Sequence, residues 1–118
     1  MIVVDANLLV ALVSGDARGG KVLQYFSDWL NHNVEIHAPL LAKYEIANAL
    51  TRLIVGGRFP KDKVEDAWNN ISMLPINYHD LSNAKRVVEI ALALNRQNDY
   101  DAAYVVLTEE LSAELWTL

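Results

Sequence analysis

Apolar and polar positions along this 118-residue chain fall into blocks whose length and period change repeatedly. Ile2, Val3 and Val4 form a β-branched run too short for anything but a strand, and the run ends at Asp5. A short helix is expected from Asn7 to Val13, then a turn at Ser14, Gly15 and Asp16. Gly19 and Gly20 precede a second helix, where Val22, Leu23, Phe26, Trp29 and Leu30 recur at the spacing of one helical face. Asn31 and Asn33 end it, and Val34 to Ala38, closed by Pro39, is a second strand. Leu40 to Val55 reads as a long helix stopped by Gly56 and Gly57.

Pro60 suits the first turn of the next helix, whose inward face would be Val64, Ala67, Trp68 and Ile71. Leu74 to Tyr78 is a short third strand. Leu81 to Leu94 is helical, with Ala84, Val87, Val88, Ala91 and Leu92 inward. A polar break, Asn95 to Asn98, separates it from a last helix, Tyr100 to Leu111, and Glu114 to Leu118 begins a final strand. Strands alternating with helices predict an α/β domain with a mainly parallel sheet and helices on both faces. Ligands of such folds sit beyond the carboxyl ends of the strands, where Asp5 stands.

A carboxylate at the edge of a core is costly without a partner. Two further acids fall in apolar surroundings: Glu45 in LLAKYEIANAL and Asp101 in NDYDAAYVVL. Glu45, Asn48 and Arg52 share one polar stripe of their helix, and Asp101 lies near a helix start, where the macrodipole favours negative charge. Each has a plain structural explanation. Asp5 can cap a helix, Glu45 can be a solvated helix residue, and Asp99 or Asp101 can cap the last helix. Position favours Asp99 as that cap. These explanations do not account for all three acids together. A divalent cation does: Mg²⁺ or Mn²⁺ takes carboxylate oxygens, relieves their repulsion, and can activate water at a phosphoryl group.

Composition narrows the field. The absence of cysteine excludes disulfides, thiolate metal sites and cysteine nucleophiles, and fits a reducing cytoplasm. No apolar run approaches the ~20 residues that span a bilayer, and no basic segment precedes the first apolar stretch, so neither membrane nor export is expected. The net charge of -5 argues against broad electrostatic binding of nucleic acid and for local contact through metal ions.

VVDANLLVAL, YEIANAL and YDAAYVVL followed by LWTL, in this order and spacing, resemble the PIN domain, and more narrowly the toxin ribonucleases of VapBC toxin–antitoxin modules. The resemblance covers essentially the whole chain. It implies a three-layer α/β/α sandwich and a cytoplasmic, Mg²⁺- or Mn²⁺-dependent endoribonuclease. It also implies an RNA substrate, an antitoxin protein partner and a homodimer. Asp5, Glu45 and Asp101 match the catalytic, metal-binding acids, and Asn7 and Asn48 match supporting positions. Many relatives carry a fourth acid and a fifth strand just after the segment matching LWTL. Residues 1–118 are therefore expected to be a single PIN-like domain lacking a short C-terminal segment, with Thr117 offering a hydroxyl near the site.

Other readings were weighed against the residues. A haloacid-dehalogenase phosphatase needs an acid where Asn7 stands, and a receiver domain needs an aspartate where Pro39 and Leu40 follow the second strand. A PIN-fold binding module without catalysis remains as the alternative. Trp29, Trp68 and Trp116 are expected in the core. His32, His37 and His79 lack ligand spacing and are expected at the surface or in local structure, while Arg52 and Arg58 are expected to be solvated.

Overall fold

β1 (Ile2–Val4), β2 (Ile36–Pro39), β3 (Ile76–His79) and β4 (Glu114–Trp116) form one parallel sheet in the order β3-β2-β1-β4. The computed structural model describes residues 1–95 and 100–118; the expected cap Asp99 and positions 96–98 of the expected polar break lie outside the described residues. β1 is central, with Ile2 opposite Ile36 on one side and Val4 opposite Trp116 on the other. A strand covered on both faces needs apolar side chains on both, which is why Ile2, Val3 and Val4 do not alternate with polar residues and are all buried.

Among the described residues six α-helices carry the crossovers: α1 (Ala6–Val13), α2 (Gly19–Asn31), α3 (Leu41–Val55), α4 (Val64–Ser72), α5 (Ala84–Ala93) and α6 (Tyr100–Leu111). The steps from β1 to β2 and from β2 to β3 move the same way across the sheet, and the step from β3 to β4 returns past both. Right-handed crossovers then put α1 to α4 on one face and α5 and α6 on the other. The packing agrees: α1 rests on α2, α3 and α4, whereas α6 lies across β1, β2 and β4 and carries α5. This is a three-layer α/β/α sandwich. Its strand order reverses between β1 and β4, the position at which open parallel sheets leave a crevice.

The main core joins Leu8 and Leu9 of α1, Phe26 and Trp29 of α2, Ile46 and Leu50 of α3 and Ile71 of α4 to the sheet. Trp29 stacks at 5.2 Å, edge to face, on Trp116 of β4, so the outer strand is pinned by aromatic contact. Val87 and Ala91 of α5 meet Ala102 and Val106 of α6 in a smaller cluster. Several expected inward positions turn outward. Leu23 and Leu30 of α2 are 57% and 42% exposed, and only Val22, Phe26 and Trp29 of that stripe are buried. α5 begins at Ala84 rather than Leu81, because the Asn83 side chain accepts from the Arg86 amide and caps it there. Ala84, Val88 and Leu92 are exposed, and Ile90 packs instead. Having α6 as its main support, α5 buries a narrow stripe and leaves the rest of its apolar arc outside.

The helix stops follow the expected residues. Gly57 takes φ 70° after α3, and the Gly57 and Arg58 amides return to the carbonyls of Ile54 and Leu53 at 3.0 and 2.8 Å. That is a Schellman closure, which favours glycine at the left-handed position. His37 and His79, 42 residues apart in sequence, meet across β2 and β3 with Nδ1 and Nε2 2.7 Å apart. Burial and the neighbouring His79 ring push the His37 pKa down, so the two rings share a hydrogen bond as a local structural pair.

Gly19 and Gly20 differ in surroundings although both start α2. A Cβ on Gly19 would stand 2.7 Å from the Ala11 carbonyl oxygen, whereas one on Gly20 meets nothing within 4 Å. Gly19→Ala should push α2 off α1 and cost about 1–3 kcal/mol, while Gly20→Ala should stabilise by about 0.5 kcal/mol. Urea unfolding of the two variants checks this; equal midpoints would contradict the close approach.

Candidate active site at the carboxyl edge of the sheet

β1 leaves the sheet with a last ladder bond, from the Asp5 amide to the Trp116 carbonyl at 3.2 Å. The chain turns at once into α1. Asp5 Oδ1 accepts the Leu8 amide at 3.2 Å, so this carboxylate is the N-cap of α1. The plain structural explanation for Asp5 is thus correct as far as it goes. It accounts for one oxygen of a side chain that also faces a cavity of about 280 Å³ at the switch point between β1 and β4.

The cavity gathers residues from every part of the chain. Asp5, Ala6 and Asn7 come from the β1–α1 junction, Glu45, Ala49 and Arg52 from α3, Asp101, Tyr104 and Val105 from α6, and Leu115 and Thr117 from β4 and its end. The three acids picked out in the sequence therefore line one wall-to-wall space. Asn7 lines it too. Asn48 does not: it is exposed on α3, and the face turned to the cavity runs Glu45, Ala49, Arg52, the i, i+4, i+7 spacing of an α-helix. Arg52 is exposed, as expected, and also contributes to this wall.

Tyr104 is the residue that sequence reasoning missed. It lies three residues after Asp101, hence on the same side of α6, and its hydroxyl donates to Glu45 Oε1 at 2.5 Å. Burial, then that bond and the Glu45 charge, push its pKa far above the ordinary tyrosine range, so the hydroxyl stays protonated. Asp5 is also shifted upward. Burial is the main cause; the amides of Leu8 and Asn7 oppose it, and the charges of Glu45 and Asp101 add to it.

The donors suit a hard dication: carboxylate and hydroxyl oxygens, with the Glu45 and Asp101 charges helping to raise the pKa of Asp5. Among the described residues no group of three or more His, Cys, Asp or Glu side chains is arranged to hold a metal ion. Mg²⁺ asks for less than such a group, because that ion keeps several waters and takes one or two carboxylates.

Known proteins place this geometry. No family model matches the chain. The crystal structure of PAE2754 from Pyrobaculum aerophilum has a TM-score of 0.72 to it at 21% identity, over 97% of this chain and 71% of that one. That likeness is one of fold, a parallel α/β/α sandwich of the PIN-like kind. Ribonuclease VapC3 of Pyrobaculum aerophilum is 30% identical over 124 aligned residues, 99% of this chain and 88% of the relative. Within the PIN class, the chain belongs to the VapC family.

Asp5→Asn keeps a good N-cap and removes a charge that burial and two neighbours oppose. A carboxyl whose pKa is raised by folding keeps its proton where the unfolded chain has lost it. Its ionisation therefore weakens the fold as pH rises through that interval. Cation-free Asp5→Asn should be more stable than the natural chain at neutral pH by about 0.5 kcal/mol, a value kept small by solvent screening. The difference should close as pH falls below about 3. Thermal unfolding across pH measures it, and an unchanged or lower midpoint at neutral pH would show that the neighbours do not oppose this charge.

Proposed function

We propose that this chain is an endoribonuclease of the VapC kind, using Mg²⁺ or Mn²⁺ to hydrolyse RNA phosphodiester bonds. The observation that carries the reading is the meeting of Asp5, Glu45 and Asp101 in one cavity at the sheet's switch point. The name of the relative, a ribonuclease, supports the substrate class. Asp5 and Asp101 would be the main cation ligands, with Glu45 completing the set or orienting a water. A bound dication would offset the repulsion among the acids, lower the pKa of a water and stabilise charge on the phosphoryl oxygens.

The remaining residues bind and orient. Arg52 offers a guanidinium to a backbone phosphate on the far side of the acids, and this contact is local, as a chain of net charge -5 requires. Asn7 and Thr117 supply neutral donors and acceptors that can hold a water without adding charge. The partners proposed are an antitoxin protein that covers this cavity and a second copy of the chain, in the cytoplasm. No helix among the described residues is long and apolar enough to cross a membrane. Apolar side chains left outside, Tyr44 and Val55 of α3 and Val88 and Leu92 of α5, support protein contacts.

The test is cleavage of a mixed RNA panel, transfer RNA included, with Mn²⁺, with chelator, and with Asp5→Asn. Cutting should need the cation and fall by at least about 100-fold in Asp5→Asn; Arg52→Gln should raise KM with a smaller change in kcat. Metal-independent cutting, or full activity in Asp5→Asn, would refute the mechanism. Folded protein that neither binds Mn²⁺ nor cuts would point to the non-catalytic binding module. Light scattering at micromolar concentration should give twice the chain mass of 13.2 kDa, and a monomer there would contradict the dimer.

A further inference from the structure

A carboxylate can meet a cation with one oxygen or with two, and Asp5 and Glu45 each have an oxygen that accepts a hydrogen bond. Asp5 Oδ1 accepts the Leu8 amide at 3.2 Å. Glu45 Oε1 accepts the Tyr104 hydroxyl at 2.5 Å, the short end of the range for a hydroxyl bonded to a carboxylate. Tyr104 is 5% exposed, so its ring is held by packing and cannot swing away to release Glu45. One hydroxyl on α6 therefore ties the Glu45 carboxylate of α3 to α6.

Cations differ in what this permits. Mg²⁺ takes an octahedral shell at about 2.0–2.1 Å, keeps waters and needs single carboxylate oxygens. Ca²⁺ takes about 6–8 oxygens at about 2.3–2.6 Å and draws on two-oxygen carboxylates. We propose that Tyr104 is a positioning residue whose bond holds Glu45 Oε1 toward its hydroxyl, disfavours two-oxygen ligation by Glu45, and so biases the site toward Mg²⁺ and Mn²⁺ over Ca²⁺. The proposal rests on the metal-dependent reading above and adds a selectivity device to it. The device has two parts that are separately observable: the tether itself, and its effect on cation choice.

The experiment uses the full chain and Tyr104→Phe, which keeps the ring and removes only the oxygen. Mn²⁺ binding is followed by its paramagnetic resonance signal, with Ca²⁺ as competitor and no RNA present. The natural chain should prefer Mn²⁺, and Tyr104→Phe should lower that preference by about tenfold. In parallel, proton resonance should find a slowly exchanging phenol proton at low field in the natural chain, absent from Tyr104→Phe and lost in Glu45→Ala. An unchanged preference in a Tyr104→Phe protein that binds Mn²⁺ would overturn the selectivity role while leaving the metal reading intact. A natural chain without the phenol signal would overturn the tether. A natural chain that shows the signal but binds neither cation would refute the metal reading, and cation selectivity with it.

Discussion

The hydrogen bond from the Leu8 amide to Asp5 Oδ1 starts α1 at the residue where β1 runs out. Little freedom is left to Asp5 on either side. Its amide is spent on the Trp116 carbonyl of the neighbouring strand, and its side chain on the first turn of the helix. A cap of this kind is worth about 1 kcal/mol, and the positive end of the helix favours the negative charge. Burial, Glu45 and Asp101 oppose that charge. The carboxylate is thus held by backbone geometry in a place its electrostatics resist.

That placement also fixes where the other acids must come from. The switch point between β1 and β4 is roofed by α6 on one face of the sheet, and α3 follows β2 beside it. An acid early in α6 and an acid in the second turn of α3 are the ones the topology can bring to Asp5. Their charges are partly answered inside the cavity by Arg52 and by the Tyr104 hydroxyl. An acidic chain can address a polyanion in this way, because attraction is confined to one small space instead of being spread over a surface.

Much of this was legible in the residues, and the illegible parts share a cause. β1 and α6 could be read because an unbroken β-branched run and a strongly apolar helix each admit one solution. The choice of Asp5, Glu45 and Asp101 could be read because acids in apolar segments are few. Which stripe of α5 turns inward could not. Its apolar positions cover a wide arc, and the burial of Val87 and Ala91 over Val88 and Leu92 is decided by where α6 lies. Tyr104 reads as an ordinary core aromatic until its hydroxyl is found on Glu45. No spacing rule joins His37 to His79, since their contact exists only through the pairing of β2 with β3. Arg52 is exposed, as expected, but that it also lines the cavity depends on the rotation of α3 in the fold, which periodicity alone does not give.

The central strand has a further consequence for when the site comes into being. β1 is made of the first residues of the chain, yet one of its two neighbours is β4, with Ile2 paired to Glu114 and Val4 to Trp116. Pairings this distant in sequence are late events in folding. During synthesis Asp5 emerges before Glu45, and Glu45 before Asp101 and the strand that closes the wall. A nascent chain therefore carries its acids apart for most of its growth. The cavity is assembled only when the segment around Trp116 docks against β1 and the Trp29 ring. A site built this way takes shape only once β4 has paired with β1.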